Sequence, residues 1–218
     1  MYSILDLTHP VVTGMPVYPG DPTVEISTAS SVDETGFAVA SLRLGTHSGT
    51  HIDAPSHRFD GAGTIDEAEL GLLFGPAVVL SVPEIGAGQA ITVSHVRDQL
   101  ESVRPNDIVF IATGWSSHYG SALYLDHPYL APELGEELLN RGVRVLGVDL
   151  INPDPDGEEH NSVAIHDLML GSGGYIVENL TNLGRIDWTR PLVSLLPLRL
   201  AGLDGSPIRA VAIREKAS

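Results

Sequence analysis

Leu44-Gly45-Thr46-His47-Ser48-Gly49-Thr50-His51-Ile52-Asp53-Ala54-Pro55-Ser56-His57-Arg58-Phe59 packs three of the chain's nine histidines and one aspartate into eleven residues. The four groups fall at positions 47, 51, 53 and 57. All are odd-numbered, so a locally extended backbone would point them to one face. At a rise of about 3.3 Å per residue, the Cα atoms of His51 and Asp53 stand roughly 7 Å apart, within reach of one ion. His47 to His57 fully extended would cover roughly 33 Å, which no single site spans. The chain must therefore curl, and Gly45, Gly49 and Pro55 permit or enforce the bends. A bent strand-loop that converges several ligands on one point is the expectation, and the rest of the fold has to be arranged around it.

The residue types specify the chemistry. Neutral imidazole and carboxylate suit zinc, manganese or iron, and a catalytic site keeps one position open for water. Such water ionises near neutral pH and attacks carbonyls. A histidine left out of the ligand set is a natural proton carrier, because its reference pKa lies close to working pH. The alternative is a set of unrelated surface or core histidines. The density of the cluster, and the Gly, Thr and Pro between its members, weigh against that.

The whole chain narrows the class. Its 218 residues, 43% of them hydrophobic, suffice for one sizeable core, so residues 1–218 read as a single domain. The formal net charge of −16 argues against nucleic-acid and membrane-surface partners and leaves a small-molecule substrate. With no cysteine there is neither a disulfide framework nor a thiolate ligand, which fits the reducing cytoplasm. No basic segment followed by an apolar one opens the chain, and the apolar runs at 77–80 and 108–112 are too short to cross a bilayer.

Strands are expected at 3–7, 37–44 and 77–82, then a helix from the candidate N-cap Thr92 to Leu100. Residues 107–112 read as a buried strand ending in Thr113-Gly114. Pro132, Glu133, the shared face of Leu134, Leu138 and Leu139, and a closing Gly142 define a further helix. A strand at 144–150, a short helix at 161–170, and strands at 175–180, 192–200 and 208–213 complete the pattern. Strand–helix alternation in the middle with strand-rich ends gives a mixed α/β domain. Residues 154–159 read as a solvated acidic turn, and His9, His95 and His127 as surface or pocket-edge residues.

The run from His47 to His57 matches the His-x-Gly-Thr-His-x-Asp-x-Pro-x-His signature of the cyclase family of metal-dependent hydrolases, which includes bacterial kynurenine formamidase (arylformamidase). Met15-Pro16-Val17-Tyr18-Pro19-Gly20, Thr113-Gly114-Trp115, Gly147-Val148-Asp149, Glu178-Asn179-Leu180 and the segment from Leu200 to Ala210 are similar to other blocks of that family. The resemblance implies a mixed sheet with a central β-barrel-like core and flanking helices, the swivelling β/β/α arrangement. It implies that His47, His51 and Asp53 hold a first divalent metal, with Asp53 bridging to a second completed by His166 and Glu178. The metal would be zinc first and manganese second, as one or two ions. His57 takes the place of the catalytic histidine, and Tyr18 stands where a pocket-lining Trp is common. The family's homodimers and homotetramers share active-site walls.

Read from the residues alone, His160 competes with His166 for the distal position. Glu178 sits in the apolar run Tyr175-Ile176-Val177, where an unpaired carboxylate is costly and a metal would offset that cost. The chain departs from the formamidases at Tyr18, at Arg58 after the histidine, and at Leu150-Ile151-Asn152 after Asp149. The expected reaction is hydrolysis of an arylformamide such as N-formylkynurenine, or of a cyclic amide or ester. The competing readings are a lactone- or polyketide-type cyclase, a non-haem Fe(II) oxygenase, which shares the two-His-one-carboxylate set, and a non-catalytic metal-stabilised binding module.

Overall fold

In the computed structural model, which describes residues 1–155 and 163–215, the strands in chain order begin with β1 (Tyr2–Asp6), β2 (Glu25–Ser30), β3 (Val39–Arg43) and β4 (His51–Asp53). There follow β5 (Phe74–Ser81), β6 (Ala90–Ile91), β7 (Ile108–Ala112), β8 (Tyr129–Leu130) and β9 (Val145–Val148). The last are β10 (Tyr175–Glu178), β11 (Leu192–Ser194), β12 (Gly205–Pro207) and β13 (Val211–Glu215). The helices are α1 (Val32–Thr35), α2 (Val93–Val96), α3 (Pro132–Asn140) and α4 (Ala164–Gly171). His160, Ser162, the start of the helix expected at 161–170 and most of the acidic turn lie outside the described residues.

The apolar β5, β7, β9 and β10 pair in parallel and form the centre of a nine-stranded sheet of order β1-β13-β11-β5-β7-β9-β10-β4-β12. Every residue of β7 is buried, as expected of a parallel strand covered on both faces. Val109 and Ile111 point to one face, where they meet Leu134 and Leu138 of α3 and Ile165 and Met169 of α4. Ile108 and Phe110 point to the other, against Ile52, Leu73, Ala77 and Val193. The sheet thus separates two apolar cores, and each fully buried Leu, Ile or Val in them contributes about 1.5–3 kcal/mol. This is the mixed sheet with flanking helices that the sequence led us to expect. No helix among the described residues is long and apolar enough to cross a membrane.

The strand expected at 37–44 is present as β3, which pairs with β2 in a separate two-stranded ribbon where Val39 and Leu42 are exposed, as is Phe37 just before it. Two local expectations are corrected. The strand at 192–200 stops at Ser194, ahead of Pro197, a residue without an amide donor for a ladder. The helix from Thr92 breaks after α2 into a separate 3₁₀ turn at Gln99–Ser102.

What positions the site is the placement of β4. This three-residue strand lies antiparallel between β10 and β12, with His51 opposite Glu178 and Asp53 opposite Gly205. Directly opposed residues share a face, so His51 and Glu178 emerge together. Ile52 points the other way and is fully buried in the second core.

Candidate metal centre

The expected curl is present and its causes are visible. The chain turns through residues 46–50, runs straight only through β4, and closes in a 3₁₀ turn at Pro55–His57. Gly49 adopts φ +65°, a left-handed value that suits glycine. Gly205 is needed for a different reason. A Cβ there would stand 2.8 Å from both His47 Cε1 and the Ile52 carbonyl oxygen, so only glycine lets β12 lie against the histidine.

Asp53 is the hub. Its Oδ1 lies 2.7 Å from His47 Nδ1 and 3.3 Å from His51 Nε2, and its Oδ2 lies 3.9 Å from His166 Nε2. Glu178 closes the ring: its Oε2 is 3.4 Å from His51 Nε2 and its Oε1 is 3.5 Å from His166 Nε2. A four-coordinate zinc with ligands at about 2.0–2.2 Å spaces neighbouring donors by about 3.3 Å, close to most of these separations. Asp53 Oδ2 is buried and accepts no hydrogen bond, a costly state for a carboxylate oxygen that a cation would relieve. The donor set therefore fits a divalent metal. Among the described residues, two triads have mutual ligand distances within 4.8 Å, His51–Asp53–Glu178 and His47–Asp53–His57, and Asp53 belongs to both.

Two supporting carboxylates escaped the sequence reading. Asp154, read as part of a solvated turn, is fully buried. It accepts the backbone N–H groups of Ile165 (2.7 Å) and His166 (3.1 Å) at the start of α4, and its Oδ2 lies 2.6 Å from His166 Nδ1. That contact leaves Nε2 free to face Asp53 and Glu178, the usual arrangement behind a metal-binding histidine. Asp204, on the turn before β12, places Oδ2 2.9 Å from His47 Nε2 and 3.3 Å from His57 Nδ1. Its Oδ1 accepts the Thr46 hydroxyl at 3.0 Å. His57 is exposed and its ring lies 3.9 Å, centroid to centroid, from that of His47. Asp149 is buried too, but accepts hydrogen bonds from Thr113 and Gly114 and so ties β7 to the end of β9. His9 and His127, expected at surfaces or pocket edges, are both buried.

These groups open on a cavity of about 320 Å³, walled on its apolar side by Pro16, Val17, Tyr18, Ile151 and Val163. Tyr18, expected to line the substrate pocket, stands in that wall and is partly exposed. Arg58 also reaches the cavity, with its Nε 2.6 Å from Asp167 Oδ1 on α4.

The electrostatics show how strongly the site favours positive charge. Burial opposes the charged form of His51, but the charges and hydrogen bonds of Asp53 and Glu178 outweigh it and hold its pKa well above the ordinary value. His166 is likewise raised to about 9: burial opposes, and the hydrogen bond to Asp154 and the nearby Glu178 and Asp53 prevail. Burial also works against ionised Asp204, yet the contact with His47 brings it down to about 2. Without metal, protons on these histidines supply the missing positive charge. Their contribution to stability is complete below the unfolded value near 6.5 and, for His166, lost as pH rises through about 9. A ligating imidazole must be neutral, so metal uptake at pH 7 is expected to release at least about one proton per chain. Calorimetry in two buffers of different ionisation enthalpy measures this, and no proton release would contradict the account.

Comparison with known proteins decides the family. The Cyclase family model matches residues 5–155. The chain belongs to that family. This member of the cyclase family is 30% identical over 210 residues to a kynurenine formamidase of Bacillus cereus, covering 95% of each chain. Isatin hydrolase A of Labrenzia aggregata superposes with a TM-score of 0.89 at 25% identity, over 97% of this chain and 93% of the other. A protein of Bacillus stearothermophilus described as a "predicted metal-dependent hydrolase" shares the fold, with a TM-score of 0.80 at 24% identity over 98% of both chains. The named relatives, a kynurenine formamidase and an isatin hydrolase, are hydrolases. His166, Glu178 and Asp204 all lie beyond the matched residues 5–155, so the geometry rather than the family match joins them to the site.

Proposed function

We propose that this protein is a metal-dependent hydrolase of a small aromatic amide, either an arylformamide such as N-formylkynurenine or a cyclic aryl amide such as isatin. The observation that carries the reading is the unpartnered, buried Asp53 Oδ2 among His51, His166 and Glu178, at a cavity that His57 also lines. His47, His51 and Asp53 would hold one ion, and Asp53, His166 and Glu178 a second, with zinc favoured over manganese. When bound, the metal lowers the pKa of water and polarises a carbonyl oxygen. Each remaining task falls to the chain. Asp204 accepts from His57 Nδ1–H, which leaves the Nε2 lone pair to take a proton from water and return it to the departing nitrogen. Tyr18, Val17 and Ile151 present an apolar wall suited to an aromatic ring.

The formamidase and isatin hydrolase relatives support open-chain and cyclic substrates respectively. Elemental analysis of the purified protein, followed by assays on N-formylkynurenine and isatin, separates the two. Metal-loaded protein that converts neither would reject both substrates. We place the enzyme in the cytoplasm, in keeping with a chain free of cysteine. A second copy of the chain is the partner we propose for the ribbon of β2 and β3. An isolated two-stranded ribbon is marginally stable in water; this one exposes Val39 and Leu42, and the connection between its strands exposes Val32 and Phe37. Light scattering that returned only the 23.2 kDa of one chain would exclude the assembly.

A further inference from the structure

Asn179 follows Glu178 directly, is 4% exposed and lines the same cavity. Its backbone is left-handed, φ +55°, a region asparagine tolerates better than most residues. Nearly every polar group it carries is already committed. Its N–H donates to the Leu150 carbonyl at 2.8 Å, and its own carbonyl accepts the Thr50 hydroxyl at 2.6 Å. Thr50 precedes His51, so the residue is clamped to both ligand-bearing strands. Its side-chain Oδ1 accepts the hydroxyl of Tyr124 at 2.8 Å. No hydrogen bond among the described residues uses the amide nitrogen Nδ2.

Tyr124 accounts for the orientation. It is 1% exposed, with its ring edge-on to Tyr119 and its carbonyl accepting from Trp115 Nε1. Burial pushes its hydroxyl well above the ordinary tyrosine range, so it stays protonated and donates. The amide oxygen therefore faces the tyrosine, and the two N–H donors are left for the cavity. No acceptor among the described residues meets those donors, so a molecule bound in the cavity can supply one.

We infer that Asn179 is a catalytic residue whose side-chain amide donates to the carbonyl oxygen of the substrate as negative charge develops there, and that Tyr124 is its positioning residue. This rests on the hydrolase reading above. A fixed donor that needs no reorientation during the reaction is the kind that stabilises such an oxygen. The step creates no new bond to the protein: the donor strengthens one hydrogen bond as the carbonyl carbon is attacked, and relaxes when the carbon–nitrogen bond breaks.

The test uses the full-length, metal-loaded chain and its Asn179→Ala, Asn179→Asp and Tyr124→Phe variants. On whichever of N-formylkynurenine or isatin the parent converts, kcat is expected to fall about a hundredfold in both Asn179 variants, with KM changed less than about threefold. Tyr124→Phe, which removes one oxygen and no ring contact, is expected to lose about tenfold in kcat with metal content unchanged. A second measurement does not depend on turnover: calorimetric titration with formate, a small carboxylate, is expected to show at least fivefold weaker binding to Asn179→Ala than to the parent. Equal formate affinity and kcat within threefold of the parent in Asn179→Ala would overturn the role of Asn179 alone. A parent chain that binds no formate and converts neither amide would overturn the hydrolase reading, and this inference with it.

Discussion

Asp53→Asn is expected to leave the chain folded but unable to keep metal. The carboxylate touches all three neighbouring histidines, and its Oδ2 is the buried atom with no other partner. An amide is a poorer ligand than a carboxylate and carries no charge to offset a divalent ion. Losing a partner that merely supports a ligand costs about 10–100-fold in affinity, so losing the group common to both triads should cost more than about a hundredfold. Elemental analysis after dialysis reads the loss directly. Thermal unfolding in chelator, where parent and variant both lack metal, isolates the effect on the fold. Full metal content in Asp53→Asn would show that the ion, if any, sits elsewhere.

His57→Ala should produce the complementary result, with metal retained and turnover gone. Proton transfer by a positioned side chain contributes about 10²–10⁴-fold, so kcat is expected to fall within that range. The prediction is sharp because the geometry offers an alternative. His57 also falls within ligand distance of His47 and Asp53. If metal content drops in step with activity, His57 is a ligand and the proton carrier must be sought elsewhere. If both stay near the parent's values, it is neither. Its exposure and its contact with Asp204 Oδ2 favour the proton-carrying role, since both leave Nε2 accessible to a substrate.

The part of the site carried by one short segment was legible in the sequence. His47, His51, Asp53 and His57 announce themselves by density and parity, and Gly49 and Pro55 account for the curl that brings them together. The apolar context of Glu178 marked it as a carboxylate in need of a partner. Asp154 and Asp204 were illegible for an equally physical reason. Each lies in a polar, turn-rich stretch where an aspartate is ordinarily solvated, and only the fold brings Asp154 to His166 and Asp204 to His47, the latter 157 residues away in the chain. Among the strands, β5, β7, β9 and β10 could be read from their continuous apolar runs. The three-residue β4 and β12 are too short to show a period at all. The strand at 37–44 was legible too, but its apolar residues Phe37, Val39 and Leu42 do not state whether they will be covered by this chain's own core, and they are exposed.

The position of β4 between β10 and β12 also bears on how the enzyme comes into being. A ribosome delivers His51 and Asp53 well before β10 (Tyr175–Glu178) and β12 (Gly205–Pro207), the two strands between which they lie. Pairings this distant along the chain are slow to form and leave strand edges open meanwhile. The binding ring therefore cannot close until β10 and β12 have been made, and its acidic and imidazole groups stay unassembled in the interval. Loading with an ion then follows assembly of the sheet rather than serving as a nucleus around which the nascent chain folds.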